Sequence, residues 1–339
     1  LGAQEFTEGK NAHSNATRLG IRSTPWKGGT LTSTVERQLN ENSSRIFGSM
    51  GLRQTWQLTD EWKVDVGLDR TQTIFKKAGY TANPAVTPAS GGSEDFTAVS
   101  TGATYLVKGL TWDSRFEYRT SSSEDKWGVL SGVVKEQGNG WAWSTRGQYF
   151  QTNASGGVET RRVNIRLGLV YRPPRTRWIH LNRFDIIHDN QTGGGQTEST
   201  SWRFVNNYTA NYKPRKDLQV SLKYGAKFVM DTISTKRYQA FTDHWGTEIR
   251  YDITKKWDIG LRGSVLHSWN GGQYAYSGGG AAGYNMVENA WVSLGYNVWG
   301  FTDKDFSAAD YTAQGPYVRF RMKFDQQSVK DAAGWLNKQ

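Results

Sequence analysis

The chain has 339 residues, with 42 Lys and Arg against 31 Asp and Glu for a net charge of +11, and it holds no Cys, 38 Gly and 7 Pro. The lack of Cys excludes a disulfide framework and any Cys-ligated metal, and no run nears the ~18 consecutive apolar residues that a transmembrane helix needs. A mean hydropathy of −0.68 does not exclude a membrane protein, because a barrel strand shows lipid only every second residue and hides its polar half.

The opening LGAQEFTEGKNAHS has neither the basic start nor the apolar run of a secretory leader. From there the dominant signal is a period of two, which marks β-strands because successive side chains leave a pleated strand on opposite sides. The first complete strand is ATRLGIRST (16–24), followed by an apolar set at Ile46, Met50, Leu52 and Trp56. EWKVDVGLDRTQTI (61–74) places Trp62, Val64, Val66 and Leu68 on one parity and Lys63, Asp65, Gly67 and Asp69 on the other. That run is long. Soluble strands average about 5–6 residues, whereas a tilted strand crossing a bilayer needs about 9–11.

Further apolar sets follow at Leu110, Trp112, Phe116 and Tyr118, at Trp141, Trp143 and Tyr149, and at Val163, Ile165, Leu167, Leu169 and Tyr171. Others fall at Trp202, Phe204, Tyr208 and Tyr212, at Leu218, Val220, Leu222, Tyr224 and Phe228, and at Trp245, Ile249 and Tyr251. Trp257, Ile259, Leu261, Val265 and Trp269 precede the last two sets, Ala290, Val292, Leu294 and Tyr296, then Val318, Phe320, Met322 and Phe324. No helical period competes before the short tail after Phe324. These strands sum to about 17 complete ones. A closed single-chain barrel takes an even number, so LGAQEF is expected to be the top of a further strand whose lower part precedes residue 1.

Connections alternate in length. Tight turns are expected at 26–29, 59–61, 108–109, 137–140, 172–177, 213–217, 252–256 and 287–289, and longer Gly, Ser, Thr and Asn-rich loops at 76–95, 119–125, 152–159, 189–200 and 302–314. Short turns at one end and longer loops at the other are what an up-and-down outer-membrane barrel has. Trp26, Trp56, Trp62, Trp112, Trp141, Trp178, Trp257 and Trp291 gather beside the tight turns, as an aromatic girdle does at a bilayer interface.

The closing segment 288–326, with GFTDKDFSAADYTAQGPYVRFRMKFD, resembles the last hairpin of Gram-negative outer-membrane β-barrel proteins, and most resembles the C-terminal barrel of large repeat-bearing surface proteins. GLRQTWQLTDEWKVDVGLDRTQT, EDFTAVSTGATY and WDIGLRGSVLHSW are similar to the same family, so the resemblance covers most of the chain. It implies a barrel that anchors or passes material for upstream domains and carries no catalytic residues. One departure is DQQSVKDAAGWLNKQ after Phe324, which leaves the terminal strand internal.

On this reading residues 1–325 form an all-β, transmembrane, antiparallel up-and-down barrel of about 18 or more strands in a bacterial outer membrane, and 326–339 a periplasmic tail. By parity the lumen is lined by Arg162, Arg166, Arg203, Lys223, Lys227, Arg262, Arg319, Arg321 and Lys323, with Arg53, Arg115, Arg146 and Arg250. The inward acids are Asp65, Asp69, Asp113, Glu117 and Glu248, with Glu36 and Asp258. The cationic excess favours anions or an acidic partner in a pore, although pairing across neighbouring strands accounts for the same residues more simply.

Of the five His, Asp243–His244 and His267–Ser268 suggest catalysis, but adjacent strand residues point to opposite faces. The GGG runs at 193–195 and 278–280 are not phosphate loops, since no helix follows. The second run sits where something approaches the wall closely. No enzyme activity, cofactor or metal is expected, and positive charge scattered over alternating positions does not read as a nucleic-acid module. The expected partners are membrane lipid, lipopolysaccharide and a plug or partner chain in the lumen. The function expected is a pore or conduit that anchors upstream domains, with a purely structural anchor of occluded lumen as the alternative.

Overall fold

The computed structural model describes residues 2–9, 12–40, 44–77, 95–287, 290–301, 303, 305–306 and 314–322. Their regular structure is antiparallel up-and-down β-strand. The chain divides into two compact units, one of Leu1–Lys135, Thr145–Ile165 and His188–Thr200, the other of Glu136–Ser144, Arg166–Ile187 and Ser201–Gln339.

The first unit holds β1 (Gly2–Gly9), β2 (Ala12–Ser23), β3 (Gly29–Asn40), β4 (Ser44–Gln57), β5 (Trp62–Lys76), β6 (Phe96–Val107), β7 (Leu110–Ser121) and all but the last three residues of β8 (Glu124–Gly138). Each pairs antiparallel with the next. Strands β9 (Trp141–Ala154), β10 (Val158–Tyr171), β11 (Trp178–Gly193) and β12 (Ser199–Arg215) follow. The second unit continues with β13 (Leu218–Ile233), β14 (Lys236–Asp252), β15 (Trp257–Ser268), β16 (Gln273–Val287), β17 (Ala290–Trp299) and β18 (Gly315–Met322), again each against the next.

The strands are longer than the sequence predicts. β12 and β14 run 17 residues, roughly 55 Å at about 3.3 Å per residue. Three expected loops are mostly strand. Of 119–125 only residues 122 and 123 lie outside β7 and β8, of 152–159 only 155–157 lie outside β9 and β10, and of 189–200 only 194–198 lie outside β11 and β12. Ser121 supplies the reason at the first of these. Its Oγ accepts from the Glu124 amide at 3.0 Å and donates to the Glu124 carbonyl at 2.8 Å, closing a tight hairpin on residues whose composition reads as loop.

The longer connections expected at 76–95 and 302–314 fall largely outside the described residues, as does the 326–339 tail. The close approach expected at 278–280 is the neighbouring strand itself. The β16–β17 register shifts between Gly278 and Gly279, and a Cβ on Gly279 would sit 2.5 Å from the Tyr296 carbonyl oxygen.

In both units burial is reversed relative to a water-soluble core. Ile21 is 74% exposed, Leu261 68% and Phe320 73%, while Arg45 is 0%, Glu36 2% and His244 1% exposed. Trp257 and Ile259, on the same strand face as Leu261, are exposed as well. Leaving such side chains in water forgoes about 1.5–3 kcal/mol each, so these faces require an apolar surrounding. The folded chain should therefore enter the detergent-rich phase in a cloud-point partition, and recovery in the aqueous phase would contradict the apolar faces.

Candidate functional site

The polar faces carry the charge chemistry. In the first unit Asp65 on β5 bridges two neighbours: Arg53 Nη1 donates to its Oδ1 at 3.0 Å and Arg115 Nη2 at 3.1 Å. Glycine opposite makes this possible, since a Cβ at Gly102 would lie 2.5 Å from Asp65 Oδ2, and one at Gly51 2.6 Å from Asp69 Oδ1. Arg22, Arg53, Arg119, Asp69, Glu117 and Thr71 line a cavity of about 480 Å³ on this face. Arg18 Nε and Gln38 Nε2 each donate to Glu36 at 2.8 Å, and elsewhere in the unit Arg162 pairs with Asp189 at 2.5 Å. Asp113 lies 3.0 Å from where a Gly132 Cβ would stand.

Arg45 is fully buried, with its guanidinium carbon 4.4 Å from the Phe47 ring centroid and Nη2 3.1 Å from Asp95. Burial alone would raise the pKa of Asp95, just before β6. Hydrogen bonds from the Thr73 hydroxyl at 2.5 Å and amide at 2.6 Å, with Arg45, outweigh it and hold the carboxyl below its ordinary 3.8.

In the second unit Asp185 accepts from Arg166 Nε at 2.6 Å and pairs with Arg183 Nε at 2.9 Å. Lys223 donates to Glu248 at 3.0 Å and Arg250 pairs with Asp258 at 3.4 Å. Arg262 donates to Asn297 at 2.5 Å and stacks over Tyr317, as does Arg319. Among the groups just named, cations outnumber acids. Arg321 sits two register positions beyond Arg319, opposite Trp291, and Lys323 lies outside the described residues.

The connection after β17 turns back onto this face. Phe306 is fully buried against Val205, Leu266 and Phe301, its ring 5.7 Å from that of His244. It occupies the space left at Gly225, whose Cβ would fall 2.5 Å from Phe306 Cδ1. The Asp305 carbonyl accepts from Arg183 Nη2 at 3.2 Å and Asn207 Nδ2 at 3.1 Å, and Lys227 Nζ donates to both Asp303 and Asp305. Arg203 lies 3.9 Å from Asp305. Sequence parity predicts the facing of Lys227 and Arg203 but not this docking, because it depends on a contact between residues far apart in the chain.

On the apolar faces Trp62 packs against Tyr105 and Trp112, Trp141 against Tyr171, Trp178 against Tyr212 and Trp257 against Tyr284, with centroids 4.1–5.7 Å apart. Trp56 pairs across from Val64. Trp26 lies in the turn after β2, where its Nε1 donates to Gln54. Trp291 departs from the girdle expected for it: the β17–β18 register puts it on the face of buried Ser293 and of Arg319, because the strand's apolar parity is even.

Asp243 and His267, read separately from the sequence, are cross-strand partners 3.6 Å apart, and the indole NH groups of Trp245 and Trp269 each donate to Asp243 at 3.2 Å. His244 and Ser268 follow on the opposite parity, so the two pairs suggested by adjacency do not form.

No family model and no curated protein matches the chain. Among solved structures, a bacterial polysaccharide outer-membrane secretin superposes with a TM-score of 0.42 at 9% identity, covering 83% of this chain and 91% of that one. OccK11 (OpdR) of Pseudomonas aeruginosa gives 0.40 at 11% identity, with 94% and 90% covered. A BenF-like porin from Pseudomonas fluorescens Pf-5 gives 0.40 at 10%, with 84% and 85% covered. Likeness this distant assigns neither an activity nor a solute to this chain.

Gly225→Leu should expel Phe306 and release the docked residues, read as faster amide exchange at Phe301, Asp303, Asp305 and Phe306 with the strand amides unchanged. Asp95 has a lowered folded pKa, so the stability it adds is full above pH 3.8 and lost as pH falls through the folded value. The difference in melting temperature between the wild type and Asp95→Asn should accordingly shrink on acidification below pH 3.8.

Proposed function

We propose that the strands close into an outer-membrane β-barrel of about 18 strands, with the apolar faces in lipid and the polar faces around a water-filled conduit. The observation that carries this is the reversed burial: Leu68, Leu261 and Phe320 stand exposed while Arg45, Glu36 and His244 are buried. A single charge facing hydrocarbon tests it. Leu68→Arg, midway along β5, should destabilise the folded protein in bilayers by about 2–4 kcal/mol, whereas Lys63→Gln on the opposite parity should change little, both measured by urea unfolding in lipid vesicles.

Supported by the excess of Arg166, Arg183, Arg203, Arg262 and Arg319 over neighbouring acids, the conduit favours anions, since charges fixed along a narrow aqueous path raise the local concentration of counter-ions. The paired wall, with Asp65, Asp185 and Glu248 each held by a cation, keeps this preference modest. In planar bilayers the full chain should conduct with a reversal potential on the anion side in a KCl gradient, and Arg166→Glu with Arg262→Glu should move it toward cations.

A second reading is a structural scaffold whose lumen is occluded, favoured by the docking of Phe306, Asp303 and Asp305 onto the polar face. Wild type closed in bilayers, with Gly225→Leu conducting, would select it. That the barrel also anchors upstream surface or periplasmic domains is supported by the sequence resemblance alone, carried by segment 288–326 and the three further stretches that share it.

A further inference from the structure

The polar face of the second unit carries an apolar notch, and the chain fills it with its own ring. The register aligns Gly225, His244 and Leu266 across β13, β14 and β15, on the strand parities that also carry Lys223, Lys227, Glu248 and Arg262. Leu266 and the fully buried Val205 are thus apolar on faces where their strands otherwise set charged, polar or small residues. Gly225 withholds a side chain at the point where Phe306 enters, and the Phe306 ring is 0% exposed there.

Cations stand around the ring. Lys227 Nζ lies 5.2 Å from the Phe306 ring centroid and donates to both Asp303 and Asp305, while Arg203 lies 3.9 Å from Asp305. The segment therefore presents an aromatic ring beside carboxylates, and the wall answers with a ring-sized notch beside cations. One group is left over. His244 is 1% exposed and its ring stacks on Phe306, yet its Nε2 has no hydrogen-bond partner among the described residues. Contacts serving packing alone seldom leave a buried nitrogen unsatisfied, so Phe306 does not exhaust the polar chemistry of the notch.

We propose that this notch is a binding site for a small aromatic carboxylate, and that Asp305 and Phe306 occupy it as an internal stand-in for that ligand. The ligand ring takes the space at Gly225, its carboxylate replaces Asp303 or Asp305 on Lys227, and an oxygen of the ligand accepts from or donates to His244 Nε2. A small solute fits because the notch encloses a single ring completely. Competition with a tethered residue lowers the apparent affinity by the fraction of time for which the site is free. This deepens the conduit reading and rests on it, since solute reaches the polar face only through an aqueous path.

The test titrates the full chain in detergent micelles with phenylpropanoate by calorimetry, against empty micelles, with phenylpropanol and butanoate as probes that lack the charge or the ring. Wild type should bind phenylpropanoate weakly and neither of the others, and saturation should speed amide exchange at Phe301, Asp303, Asp305 and Phe306. Phe306→Ala should bind it about tenfold more tightly, as expected of a site otherwise free about a tenth of the time. Asp305→Asn should shift affinity in the same direction and covers failure of Phe306→Ala to fold. In the Phe306→Ala background, adding Lys227→Gln should weaken binding about tenfold, the loss of one charge-assisted contact, and adding Gly225→Leu should abolish it. Affinity unchanged or reduced in both Phe306→Ala and Asp305→Asn, equal binding of phenylpropanol or butanoate, or binding that survives Gly225→Leu would overturn the proposal. Heat-modifiable migration on gels is read for every sample: a wild type without a folded barrel form defeats the conduit reading, while folded wild type and folded Phe306→Ala that both ignore phenylpropanoate defeat only this site.

Discussion

A strand pairing antiparallel with the next one in the chain satisfies its backbone from its neighbours, so the ladder from β1 to β8, and that from β13 to β18, needs no water for its amides and carbonyls. Side chains are then free to sort by face alone. Because the pleat sends them alternately to either side, one sheet can present Leu19, Ile21 and Val35 on one face and Arg18 and Glu36 on the other without a polar group stranded in an apolar setting. Every functional statement above depends on that sorting, because it turns a hydrophilic average composition into two surfaces of opposite character.

The charged face is organised by short local rules. Arg53 and Arg115, from the two flanking strands, both reach Asp65, and glycine clears room for the carboxylate at Gly102. Among the described residues after β17, Asp305 and Phe306 are held by the same kind of contact, a carboxylate on Lys227 and a carbonyl on Arg183, together with the Phe306 ring in the space at Gly225.

Alternation was legible in the residues because it needs only neighbours in sequence. Leu261 and Ile259 facing one way and Arg262 and Asp258 the other follow from counting by two, and the register confirms the count over β14 to β16. What escaped depends on contacts between distant positions. The inward docking of Phe306 needs Gly225 and Val205, the approach of Asp243 to His267 needs the hairpin register, and the facing of Trp291 needs β18 beside it. Ser121 and Glu124 mislead for another reason: their side chains form a turn inside what composition marks as loop, so strand continues where a flexible link is expected.

Strands of 16 and 17 residues also have a mechanical consequence. If the strands cross a bilayer as proposed, its hydrocarbon layer takes up about 9–11 of those positions at a tilt, and hairpins such as that joining Ile233 to Lys236 then rise clear of it as paired ribbons. A molecule arriving from that side meets stiff ridges whose shape is already set, and engaging them requires little ordering of the protein beforehand.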